Sequence, residues 1–391
     1  MFSISNFQQL MKGLPRGTFD KIVKRRNADK YVKKFRTWDQ LIVMLYGQLT
    51  GAKGLRPLTE SFNCHSSKHY HLGTSKLARS TLGDANETRS DAVFTDVATW
   101  LMNQVSGSVR KESKELMYLL DSTSLTLRGR EFDRWTEQNA NRFTQGIKLH
   151  VLFDAHSEAP VWHDFSAPNV NDIERAWDVP IKADALYVFD KGYTDYNWWN
   201  TIDEAKARFV TRFKYNAGVN VVTELEVPEA ARSVVLKDEL VTFKHKNPGG
   251  KRVNLYHGKT LRRITVARPD KTRPLILATN DLKSNAIEIA QQYKERWGIE
   301  LFFKWVKQHL KIKQFLGRSE NAVRIQVLTA LISYLLVMLS HQKNGKQCSL
   351  WHYFCQISAS LFQRPEVEES VHRRRQEKAL FLAKHQGCLF P

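Results

Sequence analysis

The sequence predicts an α/β protein with helical regions at both ends, and three observations predict it. Residues 116–120 and 185–189 are continuous apolar runs, the mark of strands buried on both faces, and each runs straight into an aspartate, Asp121 and Asp190. Residues 215–280 break into short strand-like runs separated by turn chemistry. Residues 1–110 and the chain beyond Asn285 carry the apolar spacing of amphipathic helices instead.

Composition narrows the partners. The chain has 391 residues, enough for one large domain with insertions or for two or three domains, and its 42% hydrophobic content excludes a disordered protein. A net charge of +20 on a folded chain favours polyanions, with nucleic acid the default. Residues 1–90 hold 16 Lys and Arg against 6 Asp and Glu, so half of the excess lies in under a quarter of the length. Four cysteines (Cys64, Cys348, Cys355, Cys388) make no disulfide framework and suit a reducing cytoplasm. No signal-peptide core is visible in residues 1–14, and the apolar run 327–339 is shorter than the roughly 20 residues that span a bilayer. It reads as a buried core helix, with no membrane role.

In chain order, residues 1–110 form a helical, basic, DNA-binding region, with 38–48 and 91–105 its clearest helices. Lys21, Lys24, Arg25, Arg26, Lys30, Lys33, Lys34 and Arg36 put eight cations into 16 residues. A helical phosphate-contacting surface on Lys24, Arg25, Arg26, Lys33, Lys34 and Arg36 is expected there. Cys64, His65, His69 and His71 have zinc-ligand chemistry without finger spacing, so imidazoles on a DNA-facing surface are the simpler reading. Residues 111–214 carry strands at 116–120, 142–154, 161–165, 185–189 and 207–213, with a helical or loop segment around Asp172. Residues 215–280 form a separate β-rich insertion, with strands at 218–225, 233–236, 240–245, 254–257, 262–267 and 275–279. Turns fall at Gly249, Gly250 and at Pro269, Asp270. Residues 281–343 return to helix, and 344–391 are a helical tail with Cys348, His352 and Cys355 as packing residues and a basic stretch at Arg373, Arg374 and Arg375.

Within a helix over 293–307, Tyr293, Arg296, Glu300 and Lys307 fall at i, i+3, i+7 and i+14, inside a stripe about 60° wide. Such a stripe is often only a solvated face. Here Trp297, Ile299, Phe302, Phe303, Trp305 and Val306 surround it with apolar bulk, so Glu300 needs cations or metal to keep its charge. Asp121 and Asp190 at buried strand ends supply partners, because sites gather at strand ends of open α/β sheets. Three carboxylates with no convergent His or Cys suit Mg²⁺ or Mn²⁺, two ions about 4 Å apart clamping an in-line phosphodiester displacement. Arg296 and Lys307 then hold neighbouring phosphates, and Tyr293 bonds or stacks at the strand end.

The order Asp121, Asp190, Glu300, with the stripe spaced Y-x2-R-x3-E-x6-K, resembles the DDE transposases of the insertion sequence four family, where it is called the YREK signature. Asp190, Lys191, Gly192, Tyr193 and the segment with Phe315, Gly317, Ser319, Glu320, Asn321 and Ala322 are similar too, and the resemblance covers essentially the whole chain. It implies a ribonuclease H-like catalytic core, a mixed sheet flanked by helices, with Asp121 on its first strand, Asp190 after its fourth and Glu300 on a later helix. A β-rich insertion before the Glu helix, a helical N-terminal DNA-binding region and a helical C-terminal region complete the expectation. It further implies double-stranded DNA partners, the terminal inverted repeats and the target, bound by a homodimer in the bacterial cytoplasm or nucleoid, with nicking of the ends and joining of their 3′-hydroxyls. Some relatives excise through a DNA hairpin and hold a flipped base against tryptophan. Trp297 matches the residue beside the family's arginine, with Trp198, Trp199 and Trp305 as further candidates for base stacking, although core packing explains tryptophans equally well.

Two other readings stand beside this one. A ribonuclease H-like nuclease or resolvase has nearly the same site but no need of the basic N-terminal region. A DNA-binding regulator derived from a transposase is expected to have lost a carboxylate, and all three are present.

Overall fold

The computed structural model describes residues 4–364 apart from 110–115, 128, 130, 133, 134, 137, 140–143, 249–251, 269–271, 310–314 and 344–347. Gly249, Gly250, Pro269, Asp270, Cys388 and the basic stretch at Arg373 therefore lie outside the described residues. The chain forms two compact units, one drawn from residues 1–101 and 310–391, the other from residues 102–309. In chain order the elements are α1 (Asn6–Met11), α2 (Arg16–Arg25), α3 (Thr37–Thr50), α4 (Leu55–Cys64), α5 (Ser66–Leu72), α6 (Arg79–Thr88), α7 (Ala92–Val109), β1 (Met117–Thr126), β2 (Gln138–Asn139), β3 (Thr144–Asp154), β4 (Ala159–Ser166), α8 (Asp172–Ala176), β5 (Leu186–Phe189), α9 (Tyr196–Glu204), β6 (Arg208–Arg212), β7 (Val219–Glu224), β8 (Val235–Phe243), β9 (Leu261–Val266), β10 (Leu275–Thr279), α10 (Ala286–Glu295), α11 (Trp297–His309), α12 (Glu320–Lys343) and α13 (Leu350–Ala359).

The first unit is helical and organised around α12, which packs against α1, α3, α6 and α13. A helix apolar all round belongs in a core. By length and hydropathy α12 could cross a membrane, yet 94% of its most apolar window is buried inside the protein. It is the buried core helix expected around 327–339, although it is longer than that apolar run. The expected domain at 281–343 is thus divided, because α12 takes the helical partners that can cover every face. Polar groups that α3 carries inward are paired: Gln40 Nε2 donates to Asn86 Oδ1 at 2.8 Å, and Gln40 Oε1 accepts from Arg89 at 3.1 Å.

The second unit is built on one sheet, ordered β2-β3-β1-β5-β6-β10-β9-β8-β7, with β4 on the free side of β3. β1, β5 and β6 are parallel and the other pairings antiparallel, giving a mixed sheet. On one face Tyr118, Leu120, Tyr187, Phe189 and Phe209 pack with Trp198, Trp199 and Ile202 of α9. On the other, α11 comes so close to β1 that a Cβ on Gly298 would stand 3.4 Å from Leu119 Cδ1. Gly146 in β3, at φ +154°, is obligatory, since a Cβ there would collide with the Leu125 carbonyl oxygen.

The strands of 215–280 extend this sheet, β10 pairing with β6, where a separate insertion was expected. The runs at 233–236 and 240–245 fuse into β8 because its intervening charges are neutralised by the next strand. Asp238 takes two bonds from Arg262 at 2.6 and 2.8 Å, and Glu239 one from Arg263 at 2.8 Å. Residues 254–257 are no strand. Asn254 Oδ1 accepts from Tyr256 N at 2.9 Å, a side-chain turn that tucks Tyr256 into the core.

Arg262 also donates to the Ser284 carbonyl at 2.6 Å, while Asp281 accepts from Arg208 at 2.8 Å and from Ser284. Asn285 then caps α10 through Ile287 N. This buried charge network fixes where α10 leaves the sheet. Arg262→Met leaves the Asp238 carboxylate, 5% exposed, without its counter-charge. Urea unfolding should show a loss of about 3–5 kcal/mol; a loss below about 1 kcal/mol is the result for a dispensable pair.

Candidate active site

Leu120 lies opposite Phe189 in the parallel pair, and Phe189 opposite Thr211. Beyond Phe189 the strand β5 stops, so Asp121 and Asp190 are the next residues on neighbouring strands that lie about 4.8 Å apart. The reading of Asp121 as the last residue of its strand needs correction. β1 runs on to Thr126 because β3 pairs with it as far as Thr126 and Gly146, and only its parallel edge ends at Leu120. Alternation turns Asp121 to the face of Leu119, Asp190 to that of Val188 and Arg212 to that of Val210, the face covered by α10 and α11.

The single helix expected over 293–307 is two. α10 ends at Glu295 with Arg296 as its cap, and Arg296 N and Ile299 N bond to carbonyls three residues back. Such tightened turns occur at helix ends, and here the contact of Gly298 with β1 sets the new direction. Tyr293, Arg296 and Glu300 still converge. Arg296 donates to Glu300 Oε1 at 2.5 Å and lies 3.5 Å from Asp121 Oδ2, while the Tyr293 hydroxyl donates to Asp190 Oδ1 at 3.4 Å.

Electrostatics follow from crowding. Burial, aided by the charges of Glu300 and Asp172, pushes the Asp121 carboxyl up to about 6 against the pull of the Ser122 N–H and Arg296. Burial works against the Arg296 cation, yet its bond to Glu300 keeps its ionisation above the ordinary arginine value. Burial and Asp190 raise the Tyr293 phenol, so it is a neutral donor.

The remaining site residues divide. Lys307 is half-buried on α11. Trp297 is 58% exposed beside a cavity of about 960 Å³ whose walls include Arg212, Arg268, Tyr293, Lys294 and Arg296. Trp198 is 1% exposed and packs 4.8 Å from the Phe189 ring. It is a core residue out of reach of a DNA base, as is Trp199. In the helical unit the cation run is helical only to Arg25, and Lys30 to Arg36 follow in turn and extended backbone. Lys24, Lys33, Lys34 and Arg36 are exposed, as are Arg25 and Arg26, which also reach Asp96 at 2.8 and 2.7 Å. The imidazole expected at the surface, His69, is buried, stacked on Phe62 and bonded to its carbonyl oxygen at 2.9 Å.

Two cationic features escaped the sequence reading. Arg212 on β6 comes within 3.4 Å of Asp190, and Lys148 on β3 pairs with Asp172 at 3.0 Å. The signal for Arg212 is strand parity: it lies two residues beyond Val210, the same spacing that carries Asp190 beyond Val188.

The donor set suits a hard divalent cation, being all carboxylate and including one acid that burial holds near neutrality. As placed, no three ligating side chains among the described residues close around one point, because the Arg296 guanidinium stands between Asp121 and Glu300.

Residues 112–336 match the family described as "Transposase DDE domain", and residues 3–75 a domain of unknown function, DUF4372. The chain is 38% identical over 288 residues to "Putative transposase y4zB" of Sinorhizobium fredii, covering 73% of this chain and 78% of that protein. It is 27% identical to "Probable transposase for insertion sequence element IS5377" of Geobacillus stearothermophilus, covering 59% and 58%. Among solved structures, a piggyBac transposase synaptic complex with hairpin DNA aligns at TM-score 0.47 and 14% identity, covering 95% of this chain and 82% of that one.

Because the folded ionisation of Asp121 lies above the ordinary 3.8, the metal-free native state binds more protons than the unfolded chain between pH 4 and 6, and stability falls as pH rises through that window. Asp121→Asn removes this slope. In EDTA at pH 8 the variant should be more stable than wild type by about 2–3 kcal/mol, with the gap closing by about pH 4. Parallel pH–stability curves would contradict the assigned burial.

Proposed function

The chain belongs to the DDE-domain transposases and is a transposase of the insertion-sequence type, and we propose that Asp121, Asp190 and Glu300 are its catalytic carboxylates. The observation that carries this is their convergence at one end of the parallel strands, with Arg296 bridging two of them and Tyr293 reaching the third. Asp121, Asp190 and Glu300 would hold two divalent ions, Mg²⁺ or Mn²⁺, which when bound would supply the Lewis acidity for activating water or a 3′-hydroxyl and for stabilising the departing oxygen.

The protein's own groups do the rest. Arg296, Arg212 and Lys307 are the cations for phosphates flanking the scissile one, Arg296 exchanging its carboxylate partners for phosphate when DNA is bound. Tyr293 keeps its proton and donates a hydrogen bond to Asp190 at the strand end. Trp297, exposed at the mouth of the neighbouring cavity, offers a ring face to an unstacked base. Terminal inverted repeats and target DNA are the substrates, bound by a homodimer in the bacterial cytoplasm. The basic helical unit supplies end recognition through Lys24, Lys33, Lys34 and Arg36, with Arg25 and Arg26 held by Asp96.

Asp121→Ala, Asp190→Ala or Glu300→Ala should abolish cleavage of a DNA bearing the element's own ends, while gel shifts show binding largely retained. Near-normal cleavage by any of them sinks the assignment. Replacing Lys24, Lys33, Lys34 and Arg36 together with alanine should flatten the salt dependence of end binding by a slope of about four. An unchanged slope places the phosphate contacts elsewhere.

A further inference from the structure

Behind Asp121, on the opposite side of β1, lies a charge arrangement that three catalytic carboxylates do not require. Ser122 Oγ donates to Asp172 Oδ1 at 2.8 Å, and Lys148 Nζ donates to the same oxygen at 3.0 Å. Lys148 is also held by the Val170 carbonyl at 2.5 Å, and its side chain is 12% exposed. Both partners thus act on one oxygen. Asp172 Oδ2 takes no partner among the described residues and faces the turn after Asp190, where a Cβ on Gly192 would stand 3.6 Å away. A second observation points to the same place. The Tyr193 hydroxyl, on a side chain 1% exposed, makes no hydrogen bond of normal geometry and lies in the field of Asp172, Asp121 and Asp190.

A buried lysine so close to a cation site is costly unless its charge is cancelled. An aspartate paired on one oxygen cancels it and leaves the other oxygen facing the turn that carries Asp190. We propose that Asp172 is a positioning carboxylate of the active site, holding Ser122 from beneath, presenting its second oxygen to the Asp190 turn, and adding negative charge to the divalent-cation site to an extent set by Lys148. This rests on the assignment of Asp121, Asp190 and Glu300 as cation ligands. Asp172 acts through them and through Ser122 from the far side of the strand.

The two partners therefore have opposite effects, which a purely structural pair does not. Removing Asp172 uncovers a positive charge under the site, and removing Lys148 uncovers a negative one. The test is Mn²⁺ binding to the full chain without DNA, followed by loss of the free Mn²⁺ spin-resonance signal, with thermal unfolding to check folding. Asp172→Asn should weaken Mn²⁺ binding about tenfold, the size typical of groups that orient metal ligands. Lys148→Met should tighten it by about threefold or more, and Asp172→Glu should restore most of the loss. Equal affinity for Asp172→Asn and wild type, or weakening by Lys148→Met as well, overturns the inference. Asp190→Asn separates the two readings. If it abolishes Mn²⁺ binding while Asp172→Asn changes nothing, only this inference fails; if it leaves binding intact, the catalytic assignment fails and takes this one with it.

Discussion

Carboxylates crowded at the end of buried parallel strands repel one another and resist desolvation, and the unit of residues 102–309 is arranged around that constraint. Asp121 meets Arg296, Asp190 meets Arg212 and the Tyr293 hydroxyl, and Asp172 meets Lys148. Most of these contacts are 3.4–3.5 Å, longer than a well-formed hydrogen bond, so they neutralise charge without locking geometry. The exceptions are the 2.5 Å bond from Arg296 to Glu300 and the 3.0 Å bond from Lys148 to Asp172. By contrast Arg262 and Asp238, which join neighbouring strands of the sheet, form a pair that is bidentate, short and almost fully buried. The longer contacts of Asp121 and Asp190 leave these two acids free to accept another partner.

Much of this was legible in the sequence. The apolar runs before Asp121 and Asp190 are strands, and alternation explains why both acids reach the α10 and α11 face. The stripe of Tyr293, Arg296 and Glu300 converges although its helix breaks, because a break at Arg296 with three-residue bonds on either side preserves the side on which they project. What stayed hidden depends on long-range pairing. Lys237, Asp238 and Glu239 interrupt the strand pattern until Arg262 and Arg263 are placed on the neighbouring strand to neutralise the two acids. Trp198 and Trp199 read equally as base-stacking or core groups until α9 is laid on the sheet. Asp172 and Lys148, 24 residues apart, are joined only by the register that sets Ser124 opposite Lys148 and by the return of the chain after β4.

The helical unit follows the same division between structure and exchange. Arg25 and Arg26 are spent on Asp96, and Arg89 on Gln40 and the Phe35 carbonyl. Lys24, Lys33, Lys34 and Arg36 remain exposed around the turn after α2. A run of eight cations is therefore two populations, and the sequence alone does not sort them, since Asp96 lies some seventy residues away.

The break between α10 and α11 gives the two halves of the site different frames of reference. Tyr293 and Arg296 are carried on a helix whose start is pinned to the far half of the sheet through Arg262, Asp281 and Asn285. Glu300 rides on α11, whose position is gauged by the contact between Gly298 and Leu119 on the strand that bears Asp121. Two of the three carboxylates are thus surveyed from one strand. Tyr293 is surveyed from another, so a displacement of the far half of the sheet reaches the Asp190 end through the Tyr293 hydroxyl, while the spacing of Asp121 and Glu300 stays gauged from β1.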